Sequence, residues 1–212
     1  MTFVALSDTH NKHPLNLPYG DVLIHTGDVT GMGAEVQVHH FLDWFSAQPH
    51  KYKVFIAGNH DFYFEKTKPE IITQMIPDNV IYLNDSGVTI EGIKIWGSPI
   101  QPWFYDWAFN RQRGSEICKH WDLIPNDTDV LMTHGPAYMR LDKTTSGHYV
   151  GCMDLLTAIR RVRPQFHISG HIHEAYGMVK EGVTTYINAS VLDERYEMRN
   201  EAVVFEIEKS PT

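Results

Sequence analysis

The chain has 212 residues, of which 42% are hydrophobic and 21% are charged, and its formal net charge is −8. These proportions are ordinary for a globular protein and argue against the disordered and fibrous classes. The negative charge argues against a protein that coats nucleic acid or an anionic membrane, because both tasks need a basic surface. We expect one domain over residues 1–208 and a polar tail at 209–212.

The sequence predicts neither a membrane-spanning segment nor a disulfide or metal site built from cysteines. No apolar run reaches the roughly 18–20 residues of a membrane-spanning helix, and no basic segment with a long apolar stretch opens the chain. We therefore expect a cytoplasmic protein without a membrane partner. Cys118 and Cys152 are too few for a disulfide framework or a thiolate zinc site, and we interpret them as buried thiols.

Two short apolar runs near the N-terminus predict buried strands. The first, Thr2–Leu6, is followed by Asp8 and His10, and the second, Asp21–His25, is followed by Asp28. Open α/β sheets bind their ligands at the carboxyl ends of their strands. Both strands therefore deliver carboxylates to one expected site.

The next residues predict a βαβ unit. Apolar residues at helical spacing predict a helix over 34–48, and Pro49 helps to end it. A buried strand at 53–57 follows and leads into Gly58–Asp61, which reads Gly-Asn-His-Asp. The crossover between the two flanking strands is expected to be right-handed.

The middle of the chain predicts smaller elements. Pro69 opens a short helix, residues 79–83 form a strand, and residues 88–96 form a hairpin with a Glu-Gly turn. The segment 97–127 is the least regular and carries a crowded aromatic run at 103–109. That run is either a loop that packs its rings against the body or an aromatic wall beside the site.

The last third returns to strands that end in histidine. A strand at 129–132 leads to His134, and a strand at 165–168 leads to His171 and His173. A helix over 152–162 lies between them and ends before Pro164. Two further strands are predicted, over residues 184–187 and 202–207. The order of elements predicts an α/β fold with mixed sheets and helices outside them.

Five strand ends thus carry polar side chains that would meet at one rim. Together they offer carboxylate oxygens, an amide oxygen and imidazole nitrogens, from Asp8, His10, Asp28, Asn59, His60, His134, His171 and His173. In extended backbone, residues two apart project to the same side, so Asp8 with His10 and His171 with His173 can reach one ion or two adjacent ions. Such mixed ligands suit Mn²⁺, Fe or Zn²⁺ better than Ca²⁺.

The blocks also resemble a known signature. Asp8-x-His10, Gly27-Asp28, Gly58-Asn59-His60-Asp61, His134-Gly135 and Gly170-His171-x-His173 are similar to the five blocks of the calcineurin-like metallophosphoesterases. The signature spans residues 8–173. The flanking residues 7–11, 133–136 and 187–190 further resemble a subgroup of small metallophosphoesterase-domain proteins, known from animal brain proteins and microbial relatives.

The resemblance implies both a fold and a metal centre. The implied fold is a four-layer αββα sandwich of two mixed β-sheets flanked by helices. Two divalent ions, Mn²⁺ before Fe or Zn²⁺, would lie at the rim where the strands end. One ion would be held by Asp8, His10, Asp28 and His173, and the other by Asp28, Asn59, His134 and His171. Asp28 would bridge them.

The implied chemistry is attack on phosphorus by a hydroxide that bridges the two ions. His60, beside a ligand but not itself one, would donate a proton to the departing oxygen or stabilise its charge. Asp61 either orients His60 or caps a helix. His25 and His167 lie inside apolar strands and are interpreted as core residues or supports of the ligands.

Candidate substrate contacts are less constrained by the sequence. Asn11 either meets the substrate or makes a turn, and His148 either contacts phosphate or is a solvated loop residue. Trp103 opens the aromatic run, where we expect selectivity to reside.

Three functions remain open on sequence grounds. The leading hypothesis is a phosphodiesterase for a small organic or cyclic nucleotide ester, with a phosphomonoesterase as a close variant. A catalytically silent metal-binding scaffold is the second. A nuclease is the third, although the acidic balance counts against nucleic acid as a partner. The oligomeric state is open.

Overall fold

The computed structural model describes residues 1–208, so the predicted tail at 209–212 lies outside the described residues. The helices are α1 (Glu35–Ser46), α2 (Phe62–Lys66), α3 (Pro69–Met75), α4 (Ser115–Trp121) and α5 (Met153–Val162). A 3-10 turn covers His173–Ala175. None of the helices in residues 1–208 has the length and apolar character that crossing a membrane requires.

Thirteen strands are found among these residues. Those of the N-terminal half are β1 (Thr2–Leu6), β2 (Val22–His25), β3 (Tyr52–Phe55), β4 (Ile81–Tyr82), β5 (Ser86–Ile90), β6 (Ile93–Ser98) and β7 (Gln101–Pro102). The others are β8 (Asn110–Arg111), β9 (Val130–Thr133), β10 (Phe166–Ser169), β11 (Gly177–Glu181), β12 (Thr184–Asn188) and β13 (Val203–Glu206).

Two mixed sheets form the centre of the fold. The first has the order β13-β1-β2-β3-β4, with β13 antiparallel at one edge and the other neighbours parallel. The second has the order β11-β12-β10-β9-β6-β5, with parallel strands inside and antiparallel strands at both edges. The predicted α/β class with mixed sheets is confirmed.

The side-chain period of two divides each sheet between two apolar layers. Phe3 of β1 lies in a buried cluster with Met132 of β9, so one face of each sheet packs against the other. Val4 points the opposite way, into a cluster that contains Phe41 of α1 and Leu155 of α5. The sheets are therefore the two inner layers and the helices the outer layers, which is the αββα sandwich that the resemblance implies.

Six elements were not predicted from the sequence, namely α2, α4, β7, β8, β11 and the 3-10 turn. α2 and α4 are short, and α4 lies inside the segment 97–127 that was predicted to be irregular. Ile117 and Trp121 of α4 are buried, so tertiary packing stabilises this helix. The crowded aromatic residues earlier in the segment made its helical pattern hard to recognise in the sequence. β11 exposes four of its five residues and has no apolar alternation. Its antiparallel pairing with β12 fixes its position in the sheet.

The two cysteines differ in their surroundings. Cys152 is fully buried, and its Sγ accepts a hydrogen bond of 3.3 Å from the N–H of Leu155 at the start of α5. Cys118 is only partly buried, so the prediction of a buried thiol is wrong for that residue. Both thiols are free.

Two strand histidines are core residues, as predicted. His25 is fully buried with Nε2 3.1 Å from Oγ1 of Thr9, and His167 is 1% exposed with Nε2 2.8 Å from Oγ1 of Thr133. Burial lowers the pKa of each imidazole to about 3. Both rings are therefore neutral in the folded protein at neutral pH.

We expect His167→Gln to reduce the acid sensitivity of folding. Between the ordinary histidine pKa of about 6.5 and the folded value, the unfolded chain binds a proton that the folded chain does not. The free energy of unfolding therefore falls by about 1.4 kcal/mol per pH unit from this residue as the pH drops through that window. Glutamine can bond to Thr133 and does not titrate, so this contribution should disappear.

Urea unfolding at pH 6.5 and 5.5, with chelator present, measures the effect. The exposed His39→Gln on α1 is the matched control and should retain the wild-type pH dependence. An unchanged dependence in His167→Gln would show that this histidine does not carry the linkage.

Candidate metal centre

The two sheets deliver their polar strand ends to a common rim. β1, β2 and β3 run parallel and end just before Asp8, Asp28 and Asn59. β9 and β10 run parallel in the second sheet and end just before His134 and His171. The N–H of Ser7 donates to the carbonyl of Ala189 at 2.9 Å, which ties the two rims together.

The predicted ligands converge at this rim. Donor atoms within 4.8 Å of one another form three groups, which are Asp8 with His10 and His173, Asp28 with His134 and His171, and His10 with Asp28 and His60. Oδ2 of Asp28 lies 3.7 Å from Nε2 of His10 and 3.4 Å from Nε2 of His134. Oδ1 of Asn59 lies 2.8 Å from the same His134 nitrogen. Asp28 thus stands between the two implied ion positions.

The imidazole orientations fit a bound cation. Nδ1 of His134, His173 and His60 lies 2.9, 2.8 and 2.6 Å, respectively, from a backbone carbonyl oxygen. A carbonyl only accepts, so each Nδ1 carries its hydrogen and each ring turns Nε2 towards the centre, where its neutral form offers a lone pair to an ion.

The remaining donors also suit a divalent ion. The carboxylates of Asp8 and Asp28 are 0% and 2% exposed, where unpaired negative charge is costly. Nε2 of His10 and Nε2 of His173 face each other at 3.4 Å. Buried carboxylates and converging nitrogen lone pairs are the arrangement that a divalent cation satisfies.

Electrostatics keep the carboxylates ionised. Burial opposes ionisation of Asp28, but the charge and hydrogen bond of His134 and the charges of His10 and His60 hold its pKa well below the usual range. Burial likewise disfavours the charged form of His134, yet the charge and hydrogen bond of Asp28, the charge of Asp8 and the carbonyl of Thr26 together outweigh it and raise the pKa of His134 to about 9. A metal ion at this position would replace the proton on His134.

The backbone of the centre is strained. Asp8, His10, Asp28 and His171 have φ angles of 55°, 42°, 54° and 68°, in the left-handed region that non-glycine residues seldom adopt. Each such residue costs about 1–3 kcal/mol and persists only where the surroundings impose it. Four together at one rim indicate a functional site.

Of its two expected roles, Asp61 does not take that of a helix cap, and orientation of His60 stays a prediction. α2 begins after it without a side-chain cap. Its carboxylate instead accepts hydrogen bonds from the N–H groups of Thr30 and Gly58 at 2.9 and 2.8 Å and from the hydroxyl of Thr30 at 2.7 Å. Burial and the charge of Asp28 raise its pKa to about 6. Asp61 holds the loop of Asn59 and His60 against the loop of Asp28.

Two aromatic residues that the sequence did not single out pack against the centre. Trp107 lies with its ring centroid 4.2 Å from that of His60, and Tyr196 meets His10 edge-on at 4.8 Å. Trp107 lies in the aromatic run at 103–109, for which one of the two interpretations was an aromatic wall beside the site. Tyr196 lies in the loop after β12, where the sequence has no comparable pattern.

Two cavities adjoin the centre. One of 270 Å³ opens directly over Asp28, Asn59 and His60, and one of 380 Å³ lies on the other side of Phe104 and His171. A larger cavity of 570 Å³ beside α2 and α3 contains none of the predicted ligands in its described lining. The chemistry therefore belongs to the two smaller cavities.

Of the three predicted substrate contacts, one lines a cavity at the centre and two do not. Trp103 is 51% exposed and lines the cavity of 380 Å³. Neither Asn11 nor His148 belongs to the described lining of the two cavities at the centre. Asn11 bonds to Nδ1 of His40 at 3.0 Å, and His148 bonds to Ser146 at 3.1 Å. A role of these two residues in substrate binding stays a prediction.

We expect Gly58→Ala to disable the centre although it adds one carbon. A Cβ at position 58 would lie 2.4 Å from both N and Oδ1 of Asp28 and 2.7 Å from Cε1 of His134. Two neighbouring strand ends would have to shift, and we expect overpacking to cost about 1–3 kcal/mol of stability.

Phosphoesterase assays and metal analysis of the variant should both show a loss. Gly31→Ala is the control, because its nearest neighbour to a new Cβ is a side-chain atom at 3.5 Å. Full metal content and activity in Gly58→Ala would mean that the rim tolerates displacement.

Comparisons with known proteins agree with this geometry. Residues 1–175 match the model of the calcineurin-like phosphoesterase family. The human metallophosphoesterase domain-containing protein 1 is 44% identical over an alignment that covers 97% of this chain and 70% of that protein. A UPF0046 protein of Caenorhabditis elegans is 37% identical, covering 97% and 75% of the two chains.

Solved structures share the fold at low identity. One crystal structure superposes with a TM-score of 0.61 at 15% identity and covers 88% of this chain and 89% of the other. GAP50, described as the anchor in the inner membrane complex of Plasmodium, has a TM-score of 0.50 at 10% identity, with 96% and 76% covered. The family match over most of the chain, the close relatives and the clustered strand-end ligands together place this chain in the calcineurin-like phosphoesterase family.

Proposed function

We propose that this chain is a phosphodiesterase with two divalent metal ions, preferably Mn²⁺, and that it hydrolyses a small organic or cyclic nucleotide phosphodiester. The observation that carries the proposal is the position of Asp28 between two sets of oxygen and nitrogen donors. Two such ions, when bound, polarise the phosphoryl group and lower the pKa of a water molecule. Asp8, His10, Asp28 and His173 hold one ion, and Asp28, Asn59, His134 and His171 hold the other.

His60 acts on the leaving group. The carbonyl of Gly31 accepts from Nδ1, which directs Nε2 towards the centre, 4.0 Å from Oδ2 of Asp28. A protonated Nε2 at this position donates to the departing oxygen, which would otherwise leave with full negative charge. Trp107 packs on the ring of His60 and limits its rotation.

Preference for a diester follows from the charge at the mouth of the centre. Glu174 and Glu194 line the cavity of 270 Å³ together with the ligands. A phosphomonoester carries up to two negative charges and a diester one, so these carboxylates repel the monoester more strongly. The same charges and the net charge of −8 disfavour a nucleic acid strand.

The test is hydrolysis of bis-p-nitrophenyl phosphate and p-nitrophenyl phosphate by protein loaded with Mn²⁺, Fe²⁺ or Zn²⁺. We expect turnover of the diester, with a higher kcat/KM than the monoester, and loss of turnover with chelator. Protein that is inert with every metal, and no more active than Asp28→Ala, would contradict an enzyme and favour a metal-binding scaffold. Cleavage of a labelled oligonucleotide would favour a nuclease.

We propose a cytoplasmic location as well. The free thiols of Cys118 and Cys152 accord with a reducing compartment. Fractionation of cells that express the tagged chain tests this, and recovery in a membrane or secreted fraction would contradict it.

A further inference from the structure

Tyr196 lies at the metal centre with a hydroxyl that no neighbour holds. The residue lines the cavity of 270 Å³ together with Asp28 and His60. It is 42% exposed, and its hydroxyl has no hydrogen-bond partner among residues 1–208. A ligand in this cavity can therefore contact the Tyr196 side chain, and the hydroxyl is free to bond with it.

The direction of the side chain follows from its contacts. The N–H of Tyr196 donates to the carbonyl of Asp193 at 2.9 Å, and the same carbonyl lies 2.8 Å from Nδ1 of His173, on the outer side of that ring. From there the phenol ring passes His173, at 5.1 Å between ring centroids, and meets His10 edge-on at 4.8 Å. The hydroxyl is at the end of the ring farthest from the backbone, so it lies on the inner side, towards the centre.

Electrostatics agree with this position of the hydroxyl. Burial raises the pKa of the Tyr196 phenol, and the negative charges of Asp28 and Asp8 raise it further, so the phenol oxygen lies near both carboxylates. An ordinary phenol has a pKa of about 10 and an imidazolium one of about 6.5. At neutral pH the Tyr196 hydroxyl is therefore a hydrogen-bond donor, and it is a weaker acid than a protonated His60.

A short turn fixes Tyr196 in place. Oδ1 of Asp193 accepts hydrogen bonds from the N–H groups of Arg195 and Glu197, both at 2.9 Å. Nζ of Lys12 donates to the carbonyl of Tyr196 at 2.6 Å. The φ of Tyr196 is 59°, in the left-handed region that bulky residues seldom adopt. The surrounding bonds impose this backbone, so the phenol is held ready before a substrate arrives.

We propose that Tyr196 is a catalytic residue whose hydroxyl donates a hydrogen bond to a non-bridging oxygen of the phosphodiester. These oxygens carry the negative charge of the phosphoryl group in the transition state, and a fixed donor beside them stabilises that charge. His60 packs on Trp107 and serves the departing oxygen, whereas Tyr196 approaches from the loop after β12, beside His173. The inference rests on the proposed phosphodiesterase function and adds a second donor to it.

Tyr196→Phe tests the proposal, because it retains the ring against His10 and His173 and removes only the hydroxyl. In protein loaded with Mn²⁺ we expect kcat/KM for bis-p-nitrophenyl phosphate to fall by about 10- to 100-fold, the effect of one hydrogen bond to a charged group. Metal content should stay at the wild-type level. The loss should be the same for a diester of a more acidic phenol, because both substrates have the same non-bridging oxygens.

Tyr19→Phe is the matched control. Tyr19 is 86% exposed and lies outside the described lining of the two cavities at the centre, so this variant should retain wild-type turnover.

Three results with an active wild type would overturn the inference. Unchanged turnover in Tyr196→Phe would show that the hydroxyl does not contact the reacting group. A loss that shrinks with the more acidic phenol would assign the hydroxyl to the departing oxygen, and a lower metal content would assign Tyr196 to support of His10 and His173. Wild type that is inert with every metal would instead overturn the proposed function, and the inference with it.

Discussion

Asp28→Ala should lower kcat/KM for bis-p-nitrophenyl phosphate by about 10³-fold or more, because several kcal/mol of transition-state stabilisation depend on the two ions. Its carboxylate is the group that approaches both sets of donors, at 3.7 Å from His10 and 3.4 Å from His134. Its removal leaves each set short of a negative ligand. We therefore expect metal content to fall at both positions, as measured by elemental analysis after dialysis.

Asp43→Ala provides a control for general effects of removing an aspartate. Asp43 lies on the exposed side of α1, so its replacement should leave metal content and turnover at wild-type levels. Two tightly bound ions in Asp28→Ala would contradict a bridging role. Loss of activity in both variants would point to an effect on expression or folding and not on the centre.

His60→Ala and Asn59→Ala should fail in different ways although the residues are adjacent. We expect His60→Ala to lower kcat by about 10²–10⁴-fold while the metal content stays unchanged, because a general acid acts on the leaving group. Asn59→Ala removes the oxygen that lies 2.8 Å from Nε2 of His134. It should weaken binding of the second ion, and excess metal should restore part of the activity.

These two variants test whether His60 is a general acid or a metal ligand. His10, Asp28 and His60 also form a group whose donor atoms lie within 4.8 Å, so distance alone allows His60 to bind an ion. Comparing bis-p-nitrophenyl phosphate with a diester of a more acidic phenol adds a second readout. His60→Ala should lose less activity on the better leaving group, which needs no proton. Loss of an ion from His60→Ala would instead make His60 a ligand.

Much of the centre could be predicted because its residues obey a local rule. Asp8, Asp28, Asn59, His134 and His171 each follow a buried parallel strand within a few residues, and strand burial is visible as an apolar run. Parallel strands place their carboxyl ends at one edge. The positions of β1, β2, β3, β9 and β10 were accordingly predicted to within one or two residues.

Contacts between loops could not be predicted in this way. Asp61 binds the N–H of Thr30, which is 31 residues away, and the sequence suggested only local roles for it. Tyr196 reaches His10 from the far end of the chain. Such pairs depend on how β2, β3 and β12 align, and this alignment leaves no periodic pattern at the loop residues themselves.

The sequence by itself determined the fold class, the candidate ligand residues and the family, because apolar runs and the polar residues just after them are neighbours in the chain. Only the tertiary structure decided which ring nitrogen of His60, His134 and His173 faces the centre, and that Trp107 packs on His60. These features are set by backbone carbonyls and rings from distant segments, and packing of the two sheets brings those segments together.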